Sequence, residues 1–120
     1  MRAFLIAALL LALPVAGHAQ SRGSCASARS QMQMNECAAR ELRAAEARMT
    51  QAYDALRTGL TPAHQAQLAD AQRAWTAFRA AHCNFEGLEA EGGSMQPMVV
   101  SFCMAELTDA RTRQLRQSAS

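Results

Sequence analysis

The chain of 120 residues carries 12 arginines, no lysine, 10 carboxylates and four cysteines. About 101 residues remain once a distinctive opening stretch of 19 is set aside, room for one domain. That length excludes a large multidomain enzyme or a full-size nucleotide-binding sheet. The remaining 11 arginines against 10 acids exclude bulk electrostatic steering toward nucleic acid or an anionic membrane.

Met1-Arg2 is a positive start, Ala3 to Ala16 an apolar run, and Gly17-His18-Ala19 places small residues where a signal peptidase reads before Gln20. The pattern predicts a secretory signal peptide over 1–19 and a helical domain over 20–120. The run is shorter than the roughly 18–20 apolar residues of a membrane span and is broken by Pro14. No cysteine directly follows the cleavage site, and Ser21 to Cys25 does not form a lipoprotein box. The expectation is a periplasmic or secreted protein with no stable membrane anchor after cleavage.

Ser30-Gln31-Met32-Gln33 reads as a capping box, with Ser30 as N-cap and Gln33 reaching back. Behind it Met34, Ala38, Leu42, Ala45, Met49, Ala52 and Leu56 recur at steps of four and three, predicting a first helix over 31–58. Gly59 stops it, Thr61 caps the next helix and Pro62 opens it. Leu68, Ala71, Trp75, Phe78, His82 and Phe85 form a second seam, predicting a helix over 62–88. Glu91 to Ser94 breaks the pattern and Pro97 restarts it. Val99 or Val100, Cys103, Leu107, Ala110 and Gln114 then mark a third helix ending near Leu115. Glu36 with Arg40, and Asp109 with Arg113, have the spacing of ion pairs on outer faces. The predicted fold is all-α: a three-helix antiparallel bundle or hairpin with two disulfides.

The four cysteines of an exported chain this small are expected to be paired. The apolar inventory beyond the leader explains the need: seven Leu, two Val, no Ile and six Met against 21 Ala. Alanine buries little area, so crosslinks worth about 2–4 kcal/mol each matter. Cys83 and Cys103 are equidistant from Gly93, which favours their pairing across the second hairpin and leaves Cys25 to fold back on Cys37. Cys37 and Cys83 are also symmetric about Leu60, so Cys37 with Cys83 and Cys25 with Cys103 stays open as an alternative.

Catalytic chemistry finds little support. A zinc site would need two ligands beyond His64 and His82, and oxidised cysteines cannot act as thiolates, so neither metal nor cofactor is expected. The steps between successive cysteines, 12, 46 and 20 residues, are unlike the close pair of a thiol-disulfide enzyme. No serine or cysteine sits in a nucleophile motif. Trp75 and Phe78 suit a core face better than a sugar-stacking platform. Two groups stand out. Gln72, Arg73 and Arg79 flank the tryptophan seam at a height matching Thr108 and Arg111, as a structural polar network would require. Glu86, Glu89 and Glu91 lead into Gly92-Gly93-Ser94, an acidic rim with no basic residue between Arg79 and Arg111, suited to a basic partner.

The ordered set Cys25, Met34-Asn35-x-Cys37-Ala38, Tyr53, Leu68, Ala71-Gln72-Arg73-Ala74-Trp75, Phe78-Arg79, Cys83, Gly92-Gly93-Ser94, Pro97-Met98, Cys103 and Leu107-Thr108-x-x-Arg111 resembles the LprI-like lysozyme inhibitor family. The resemblance spans nearly the whole chain beyond the leader. It implies a cysteine-bridged helical protein of the cell envelope and, for some members, inhibition of lysozyme. Two features depart from the pattern: Ala80 stands where an aspartate commonly follows the Phe-Arg pair, removing one candidate partner of Arg79, and the lipoprotein cysteine is absent. The reading that results is a non-enzymatic binding protein whose partner is lysozyme or another envelope protein. The alternative is an envelope adaptor or stress-response module that leaves lysozyme untouched.

Overall fold

A computed structural model describes residues 25–120; the predicted leader over 1–19 and the start of the domain at residue 20 lie outside the described residues. Three helices follow one another: α1 (Gln31–Thr58), α2 (Pro62–Glu86) and α3 (Gln96–Ser118), with a short 3-10 turn (Gly87–Ala90) after α2. Among the described residues there is no strand, and no helix is long and apolar enough to cross a membrane.

The helix boundaries follow local chemistry. The Ser30 hydroxyl accepts from the Gln33 amide at 3.2 Å, while the Gln33 side chain accepts from the Arg29 amide at 2.7 Å, one residue earlier than a standard capping box. Gly59 ends α1 with φ −88°, so it uses no left-handed conformation; Gln65 instead closes the turn by donating to the carbonyls of Arg57 and Leu60. Thr61 caps α2 and Pro62 occupies its first turn, where the missing N–H is not needed. The predicted second helix over 62–88 is shortened, because the chain tightens into the 3-10 turn at Gly87. Gly87 is buried there, and a Cβ on it would lie 2.7 Å from Val100 Cγ2. Gly92 has φ +74°, the left-handed value that glycine adopts at least cost.

Successive helices run antiparallel, so α1 and α3 are parallel, and these two pack most intimately. Small residues permit the approach: Ala38, Ala45 and Ala52 repeat every seven residues on α1, against Ala105, Thr108, Thr112 and Leu115 on α3, and all are buried. The principal apolar cluster, Ala52, Leu56 and Leu115 with Met49, Tyr53, Leu60 and Leu68 around it, lies toward the α1–α2 turn. On α3 the buried line is thus offset from the predicted seam, and Gln114 is exposed.

The seam predicted on α2 requires a larger correction. Its only buried residue is Cys83; Leu68, Trp75 and His82 are partly covered, while Ala71, Phe78 and Phe85 face solvent, the two phenylalanines 56% and 66% exposed. The line facing the other helices is instead Leu68, Gln72, Trp75, Arg79 and Cys83. Two disulfides staple this thin arrangement, Cys25–Cys37 and Cys83–Cys103, each with Cα atoms 5.6 Å apart. The first ties the lead segment to α1 and the second ties the end of α2 to α3; the alternative connectivity is excluded.

Candidate functional site

Between the three helices lies a polar seam centred on Arg79. Its guanidinium donates through Nη1 to Glu46 Oε1 of α1 at 3.1 Å and to Thr108 Oγ1 of α3 at 2.9 Å, and it stacks over Trp75 at 5.1 Å from the ring centroid. The Arg79 side chain is 13% exposed, and its Nε is buried without a hydrogen-bond partner. Thr108, fully buried, donates in turn to the Met104 carbonyl at 2.6 Å. One layer away, Arg111 Nε donates to Gln72 Oε1 at 3.0 Å, and Gln72 Nε2 points to Met49 Sδ at 3.4 Å. Arg48 of α1 forms a two-pronged pair with Asp109 of α3, its Nε and Nη2 both reaching the carboxylate at 3.0–3.2 Å.

Of the five residues proposed for a network, the structure therefore brings Arg79 to Thr108 and Arg111 to Gln72. Arg73 lies outside it: exposed, it turns to Asp70 on its own helix. The carboxylate partner of Arg79 is Glu46, reaching in from α1. Asp109 likewise pairs with Arg48 rather than with Arg113. The roles of Glu46, Arg48 and Asp109 as cross-helix partners are not legible in the sequence, because helical periodicity reports which face a residue occupies and not which neighbour faces it.

The acidic rim sits at the opposite end of the molecule from the apolar cluster, beside the start of α1. Glu86, Glu89 and Glu91 are exposed, as are Gly92, Gly93 and Ser94. Glu86 lies 3.6 Å from His82 Nε2, an ion pair when that ring is protonated. The turn is held from several sides. Asn35 Nδ2 of α1 donates to the Ser94 carbonyl at 2.9 Å, the Gly92 amide donates to Gln96 Oε1 at 3.3 Å, and the Gly93 amide donates to the Ala90 carbonyl at 2.9 Å. The rim is thus carried on a braced turn rather than a loose loop. Next to it a shallow apolar groove between α2 and α3 is lined by Met98, Val99, Phe102 and Leu107, with Glu86 and Glu106 at its edges.

One cluster of potential metal-ligand atoms occurs among the described residues: Cys25, Cys37 and Glu41, within 4.8 Å of one another. Both sulfurs are committed to a disulfide and offer no thiolate. His64 and His82 do not converge with it; His64 is exposed at the start of α2 and His82 stacks on Phe78, ring centroids 5.5 Å apart.

These features define a class, a disulfide-stapled three-helix protein whose polar groups knit helices together and whose exposed turn carries a cluster of three glutamates. The chain belongs to the LprI lysozyme inhibitor family, whose model, described as "Lysozyme inhibitor LprI", matches residues 22–115. It is also similar to a protein of Rhizobium meliloti (strain 1021) named only as uncharacterized, 38% identical over 126 aligned positions that cover 91% of this chain and 88% of that one. No solved structure matches.

Proposed function

We propose that this protein is an exported, non-enzymatic inhibitor that binds lysozyme through the end of the bundle carrying Glu86, Glu89, Glu91 and the turn Gly92 to Ser94. Membership of the LprI family carries the reading. The rim supports the choice of surface: three exposed carboxylates on a braced turn, beside an apolar groove, complement a basic enzyme both in charge and in apolar contact. Because the turn is already held by Asn35 and Gln96, little ordering entropy would be lost on docking. The Arg79 and Arg111 layers act as the framework that keeps this end in place. The segment 1–19 serves as a signal peptide, residues 20–120 form the working domain in the periplasm or outside the cell, and no metal or cofactor takes part.

The test is turnover of cell-wall substrate by several lysozyme classes with the purified oxidised protein titrated in. Saturable inhibition near stoichiometric protein is expected, and E89R/E91R is expected to abolish it while leaving helicity unchanged. Undiminished inhibition by that variant removes the rim from the mechanism. Absence of inhibition in every class, by well-folded protein, moves the function to an envelope binding module of another kind.

A further inference from the structure

The outward face of α2 is unusual for a solvated helix. Ala71, Ala74, Phe78, Ala81 and Phe85 fall on one stripe, all exposed, and Leu88 continues it at 53% exposure. Between Gln67 and Phe85 the charge at its edge is Asp70, one turn before Ala74 and paired with Arg73 on the same helix. A solvent-facing helix normally carries charge there; apolar recurrence at helical spacing is the mark of a face that is covered. The core of one copy is also small. Its largest fully buried side chains are Leu115, Thr108 and Cys83, and α2 contributes only Cys83. Chains with so little core gain stability from crosslinks or from association, and both crosslinks are already in use.

We infer that this face of α2 is the interface of a homodimer, in which α2 packs against α2 of a second copy about a twofold axis near Phe78. Charge favours a second copy over other occupants. A twofold axis sets a patch against itself, so any net charge would repel its own image, and the one carboxylate at the edge of this stripe, Asp70, is balanced by Arg73. Shape agrees, since Ala71, Ala74 and Ala81 let two helix axes approach to about 8 Å while each Phe78 and Phe85 fits over an alanine of the other copy. The exposed parts of the two phenylalanines, Leu88 and the alanines amount to roughly 500–600 Å² per copy, near the lower limit for a specific interface. The dimer is therefore concentration-dependent, with weak affinity. The inference is independent of lysozyme binding, for which the rim and not this stripe was assigned.

Sedimentation velocity of the full chain, exported with its own leader and purified oxidised, tests it between about 1 and 200 μM, the range in which a micromolar association is visible. The mass is expected to rise twofold across the series. F78E/F85E, at positions already exposed in one copy, is expected to keep its helicity and remain monomeric throughout, while E89R/E91R still dimerises. A wild-type chain monomeric at every concentration overturns the inference, as does a dimer that survives F78E/F85E. A chain that is monomeric alone but binds lysozyme in a manner lost in F78E/F85E also overturns it, assigning the stripe to that partner.

Discussion

Thr108 offers the sharpest test of how the three helices are joined. It is fully buried, its hydroxyl accepts from Arg79 Nη1 at 2.9 Å, and Thr108→Val keeps the shape while deleting the acceptor. The Arg79 Nε already lacks a partner, so losing Thr108 leaves the guanidinium with Glu46 as its only hydrogen-bonding side chain among the described residues. A hydrogen bond to a charged group contributes about 1.5–3 kcal/mol, and the added methyl of valine recovers part of it. T108V should then cost about 1–2 kcal/mol, a fall in Tm of roughly 6–12 °C for a chain of this size. In an R79M background the hydroxyl serves only the Met104 carbonyl, and the same substitution should change stability by less than about 0.5 kcal/mol. The coupling of about 0.5–2 kcal/mol is the quantity of interest, because R79M alone mixes lost pairing, lost stacking on Trp75 and the relief of an unpartnered Nε. Urea unfolding of the four proteins with disulfides intact measures it. An equal cost of T108V in both backgrounds would refute the claim that Arg79 and Thr108 act together.

Two further predictions concern stability. Removing the Cys83–Cys103 bridge with C83A/C103A, a crosslink spanning 20 residues, should cost about 3 kcal/mol; because Cys83 is the sole buried residue of α2, hydrogen exchange should accelerate more in α2 than in α1. Equal acceleration in both helices would contradict the view that this bridge anchors α2. Gly87→Ala would set a Cβ 2.7 Å from Val100 Cγ2 and should cost about 1–3 kcal/mol, a loss that Val100→Ala partly restores in the double variant; failure of V100A to restore stability would place the strain elsewhere.

Local chemistry determined much of this protein in advance. The seven-residue recurrence of Ala38, Ala45 and Ala52, the Ser30 and Thr61 caps and the Pro62 start produce α1 and the beginning of α2, because caps and helical periodicity involve residues only a few positions apart. Even the disulfide pairing was foreshadowed, since Cys83 and Cys103 stand level across one hairpin. The rim was legible as a run of three glutamates, but that Asn35 braces its turn depends on bringing residue 35 beside residue 94. Tertiary structure alone decided the rest. Periodicity on α2 marks a stripe through Ala71, Phe78 and Phe85 as apolar but cannot say what lies against it, and the close pairing of α1 with α3 leaves that stripe outside while turning Gln72, Trp75 and Arg79 inward. The partner of Arg79 was decided in the same way. Position 80 holds an alanine, and the carboxylate arrives from Glu46, 33 residues away, because a charge on a buried face is satisfied by whatever the packed helices present to it.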